Sequence, residues 1–109
     1  MKFKVVNFRP ERISGWVYND ESPKETVKLE LFIDDRKAAE PLCDKFRNEL
    51  DGRDFANRRI GFVERVPVQF WDGETHEVTL KIRGSDVVLR QEKMTLPNVR
   101  LAADSDLSA

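Results

Sequence analysis

The chain has one cysteine, one histidine, no long apolar run and almost no net charge. Each scarcity removes a class of function. With Cys43 alone no intramolecular disulfide can form, so the fold must be held by its core, as suits a reducing compartment. The 19 Lys and Arg against 20 Asp and Glu give a net charge of −1, which creates no field able to gather nucleic acid or an anionic membrane. No basic stripe is interleaved with aromatics, so nucleic acid is not an expected partner. No segment approaches the roughly 20 apolar residues that span a bilayer, so no membrane insertion is expected. The opening MKFKVVNFRPER is no signal peptide, because Lys4 and Asn7 interrupt its short apolar run. The expectation is a soluble cytoplasmic protein, or a module of a longer chain.

What the chain does have is alternation. In VKLELFIDD, Val27, Leu29, Leu31 and Ile33 fall on one face, and Lys28, Glu30, Phe32 and Asp34 on the other. Period-two alternation of this length predicts a half-buried antiparallel strand, because successive Cβ atoms point to opposite faces. Similar strands are predicted over 3–8, 12–18, 36–40 and 60–66, and from His76 through Ile82, where His76, Val78, Leu80 and Ile82 share a face. Residues 86–89 complete a hairpin with that strand, and Met94, Leu96, Val99 and Leu101 suggest a last edge strand interrupted by Pro97. Turn formers punctuate the series: Pro10, Asn19 to Pro23, Asp34-Asp35, Asp72-Gly73 and Gly84-Ser85. The segment LCDKFRNEL departs from it. Leu42, Phe46 and Leu50 stand four apart and predict a short helical insertion over 42–50, ended by Asp51-Gly52. Short strands with turns at roughly 8–12-residue spacing predict an all-β antiparallel sandwich, immunoglobulin-like or jelly-roll-like. One domain is expected over 1–101, with 102–109 as a flexible tail.

Five elements in order carry a family resemblance: Gly15-Trp16, Ile33-Asp34, Arg47-Asn48-Glu49-Leu50, Gly61-Phe62 followed by Pro67, and His76-Glu77-Val78. Spread over residues 13–90, they resemble a small β-sandwich accessory domain attached to bacterial glycosyltransferases and other cell-surface polysaccharide enzymes. Two positions depart from that pattern. Glu49 stands where Asp is usual, and Asn57-Arg58-Arg59 replaces a glycine-rich loop. The resemblance implies an accessory role near glycans and no catalysis.

The residues themselves offer a few candidates. Trp16 and Trp71 could stack on the C–H face of a sugar ring, although Trp16 also suits a core anchor and Trp71 a lid over one open end. Arg47 has the planar fork to donate to hydroxyls or carboxylates, or to pin its own segment through an acidic neighbour. Arg58 and Arg59, with Arg53 and Phe55 in the same loop, could meet an anionic polysaccharide or an acidic partner, or simply be solvated. His76 has no Cys or carboxylate partners at zinc spacing and no nucleophile arrangement, so it reads as a hydrogen-bonded residue at the rim of the core. Asp34, Asp35, Asp51 and Asp54 match no calcium-loop motif and read as turn caps. No metal and no cofactor are expected. The function expected is a non-catalytic carbohydrate-associated module that binds glycan or positions a polysaccharide-processing protein. Ligand contact is expected from Trp71, Arg58, Arg59, Arg47 and Trp16. The alternative is a protein-interaction or assembly sandwich with no small ligand, capable of weak self-association through an edge strand.

Overall fold

The computed structural model describes residues 2–19, 21, 25–45 and 59–98. Among these described residues, seven strands make two antiparallel sheets: β1 (Lys2–Arg9), β2 (Arg12–Tyr18), β3 (Leu29–Ile33), β4 (Arg36–Ala39), β5 (Gly61–Glu64), β6 (Thr75–Ile82) and β7 (Val88–Thr95). One sheet has the order β1-β2-β5 and the other β4-β3-β6-β7. The chain lays down hairpin β1-β2 in the first sheet and β3-β4 in the second. It then returns for β5 and finishes with hairpin β6-β7 in the second sheet.

The alternating residues read from the sequence fill the space between the sheets. Ile13, Val17 and Phe62 from the first sheet meet Leu29, Leu31, Ile33, Val78, Leu80 and Ile82 from the second in one buried cluster. Leu89, Cys43, Val66 and Leu96 close its margins. At roughly 1.5–3 kcal/mol for each large apolar side chain fully buried, this shared layer is the main force joining the two sheets. An all-β sandwich is therefore what the sequence builds.

Backbone geometry explains two of the turns. Asp34 and Asp35 both have positive φ, at 50° and 68°, the paired left-handed geometry of a two-residue hairpin loop between β3 and β4. Aspartate tolerates that region because its short side chain can bond to nearby backbone. Gly73 reaches φ 79° in the bend before β6. Gly15 is needed for a different reason: a Cβ there would run into the Lys4 carbonyl oxygen and lie 3.0 Å from the Val5 Cα. This close approach borders the irregularity where the β1-β2 register shifts between Val5 and Asn7.

Two local expectations change. Residues 42–45 are extended, not helical: Leu42 bridges to Lys28 and Lys45 to Gly61, so the segment crosses from one sheet to the other. Pro41 and Cys43 face inward while Leu42 is 44 % exposed, so Leu42 does not belong to an inward-facing helical stripe. The remainder of that prediction, 46–50, lies outside the described residues, as do Val99, Leu101 and the predicted tail at 102–109. Between β5 and β6, Val68–Phe70 forms a 3-10 turn after Pro67. The second change is that parts of the two segments predicted at 86–89 and from Met94 onward, Val88–Leu89 and Met94–Thr95, belong to one continuous strand, β7. Arg90 to Lys93 are all exposed on this sheet edge, so no hydrophobic alternation announces them.

Candidate functional site

Of the five residues singled out for ligand contact, Trp16, Trp71 and Arg59 are among the described residues. Trp16 is 6 % exposed and packs with Ile60 and Tyr18 in a small second cluster, so its ring offers no free face. Trp71 is half-buried against the main core, and its indole Nε1–H donates to the Val66 carbonyl at 2.9 Å. That bond ties it down across the end of the sandwich. Arg59 is exposed, and it and Trp71 lie beyond opposite ends of β5. Arg47 and Arg58 lie outside the described residues.

A denser group of polar contacts surrounds His76. Its imidazole sits between two carboxylates. Nδ1–H donates to Asp34 Oδ2, and Nε2–H is 2.9 and 3.0 Å from the two oxygens of Asp72. Each carboxylate is held by its own backbone partner. Asp34 Oδ1 accepts the Glu77 N–H at 2.9 Å, and Asp72 Oδ1 accepts the Glu74 N–H at 2.9 Å. A reciprocal bond runs from the Asp34 N–H to the Glu77 carbonyl at 2.9 Å. The ring is mostly buried while both carboxylates are half-exposed. Hydrogen bonds from Asp34 and then Asp72 raise the His76 pKa above its ordinary 6.5. The same bonds, with backbone donors second, lower those of Asp34 and Asp72 below 3.8. The cluster fastens the β3-β4 turn to the bend before β6. The two carboxylates lie off opposite ring nitrogens and do not converge on one point. Among the described residues no group of three or more His, Cys, Asp or Glu is placed to hold a metal ion.

Cys43 is buried, and burial pushes its thiol up to about 12, which leaves no thiolate to act as a nucleophile.

The outer face of the four-stranded sheet carries the feature with most recognition chemistry. Phe32, Thr79 and Gln91 lie in register across β3, β6 and β7. With Lys81 and Asp35 they line an open depression of about 230 Å³. The Lys81 ammonium stands 5.2 Å from the Phe32 ring centroid. Gln91 donates from Nε2 to Glu77 Oε1 at 3.1 Å and to Thr79 Oγ1 at 3.0 Å. Beside the depression, Lys37 pairs with Glu30 at 3.2 Å and with Glu40. An aromatic ring flanked by an amide, a hydroxyl, an ammonium and a carboxylate suits a polar ligand with an apolar face. The sequence held a signal for it, since Phe32 is an aromatic in the polar phase of an alternating strand. A larger hollow of about 420 Å³ at the other end, bordered by Val27, Lys28, Ile82 and Arg83, has no aromatic ring among the described residues of its lining.

No helix among the described residues is long and apolar enough to cross a membrane. No family model, no curated protein and no solved structure matches the chain, so the resemblance to polysaccharide-enzyme accessory domains rests on its short motifs.

Proposed function

We propose that this sandwich is a non-catalytic carbohydrate-associated module, which binds glycan and so positions a polysaccharide-processing partner. The observation that carries this reading is the Phe32 depression. A pyranose ring presents a patch of C–H groups with hydroxyls around its edge. Phe32 supplies a surface for that patch, while Gln91, Thr79 and Asp35 supply donors and acceptors for the hydroxyls. The amide oxygen of Gln91 has no partner among the described residues and can accept from a hydroxyl. Lys81 must swing off the ring when a sugar docks. An exposed cation–π contact is worth only about 0.5–1 kcal/mol, so this displacement is mild. A shallow polar site removes little apolar area from water, and the expected affinity is weak.

The test is an amide NMR titration of the full chain with cellohexaose, chitohexaose and hexagalacturonate, which are neutral, N-acetylated and acidic respectively. Shifts confined to Phe32, Thr79, Lys81 and Gln91, abolished in Phe32→Ala, support the reading. A silent spectrum with all three overturns this assignment.

A second reading draws on the β1 edge. Phe3 and Val6 on this edge strand are 40 % and 44 % exposed, and strand addition there would make the domain an assembly module. A concentration-dependent sedimentation coefficient, suppressed by Val6→Lys, would select this reading over the first.

A further inference from the structure

The Phe32 depression and the His76 cluster share their supports. The hairpin loop that places Asp35 in the depression has Asp34 as its other central residue, and Asp34 is held by the His76 ring. Glu77 is common to both as well. Its backbone N–H is bound by Asp34, and its carboxylate accepts from Gln91, which itself bonds Thr79. A chain of contacts thus runs from the imidazole through Asp34 and Glu77 to two residues lining the depression.

We propose that His76 is a positioning residue for this site, whose doubly protonated ring holds the depression in the form that receives a sugar. The inference rests on the glycan reading for its ligand, but the linkage itself can be observed without one. Only the imidazolium has two N–H donors, so only it can satisfy Asp34 and Asp72 together. The neutral ring has one donor. It must leave one carboxylate facing a lone pair, which loosens the turn or the bend that the ring connects.

Few other charges act on the ring. Asp34 faces it from the β3-β4 turn and Asp72 from the bend before β6. On β7 its cross-strand neighbour is the apolar Met94, and on β6 the adjacent Glu77 belongs to the opposite face by strand alternation. Both charged neighbours stabilise the imidazolium, which keeps the clamp closed at mildly acidic pH and releases it as pH rises.

The experiment is a pH titration of the intact chain by NMR, which follows the His76 ring, the Gln91 side-chain amide and the Asp35 backbone amide. The same three oligosaccharides are titrated at both ends of the range. Gln91 and Asp35 should move with the midpoint of His76, and affinity should fall about fivefold as the ring deprotonates, at the low end of ordinary coupling between sites. His76→Gln should fix affinity at the high-pH level. Asp72→Asn, which keeps the Asp34 contact, should lower the His76 midpoint, and Gln91 and Asp35 should follow it down; a bond with no link to the depression would lower that of His76 alone. The proposal is overturned if Gln91 and Asp35 ignore the His76 midpoint, or if affinity is flat across it. If the three signals move together while no oligosaccharide binds at any pH, the linkage stands and the glycan reading fails.

Discussion

The carbonyl oxygen of Lys4 occupies the space into which a side chain at Gly15 would project. The obstruction is backbone, which cannot rotate away as a flexible side chain could, and Gly15 lies in a buried central strand. Gly15→Ala should therefore destabilise the fold by about 1–3 kcal/mol, the usual cost of overpacking. Urea unfolding is the check: the midpoint should fall with the slope unchanged. A neutral outcome would mean that β1 can move aside without cost.

Stability should have an optimum on the acid side of neutrality. The His76 pKa is raised in the fold, so its contribution is complete below 6.5 and is lost as pH rises through the raised value. The pKa values of Asp34 and Asp72 are lowered, so their contributions are complete above 3.8 and are lost as pH falls through the lowered values. The plateau therefore lies between those two limits. Urea midpoints measured across the acid-to-alkaline range should show a decline on both sides, and His76→Gln should remove the alkaline one. An unchanged alkaline decline in that variant would assign it to another group.

Cys43 should react with a thiol reagent only when the chain opens. Its thiol is buried and pushed up to about 12, so attack in the native state lacks both access and thiolate. The labelling rate should track the unfolding equilibrium as urea is added. Fast labelling in native buffer would contradict the packing around 41–45.

Trp71→Phe keeps most of the ring packing and deletes one hydrogen bond, to the Val66 carbonyl. The expected loss is about 1 kcal/mol, typical of a single intramolecular hydrogen bond. A much larger loss, read from thermal unfolding, would give the indole a wider role in closing that end.

The contrast between β3 and β7 shows how far the fold was legible. In β3, Leu29, Leu31 and Ile33 alternate with Glu30 and Phe32 because one face meets the opposite sheet and the other meets water. That asymmetry is written directly into side-chain type. In β7, the run from Arg90 to Lys93 is exposed throughout, so its eight-residue strand is specified by pairing with β6 and leaves little local trace. Residues 42–45 misled for a related reason. Leu42 is apolar but exposed, and a spacing argument treats every leucine as buried.

The candidate site divides in the same way. Phe32 was visible as an aromatic out of phase with its apolar neighbours, and His76 as a residue in phase with a core. That Thr79 and Gln91 would flank Phe32, or that Asp34 and Asp72 would grip His76 from two turns, follows from strand register and hairpin geometry. Asp34 and His76 are 42 residues apart in the chain.

The sequence by itself determined that this chain forms an antiparallel sandwich, since alternation and turn residues act over a few neighbours and report burial directly. It also determined the core faces of β3 and β6, whereas β2 buries both of its faces, a fact its alternation left open. Which side chains share a surface was decided only by the tertiary structure. Strand order and register set those neighbours, and they arise from long-range backbone pairing and the packing of both sheets, which no short stretch of residues encodes.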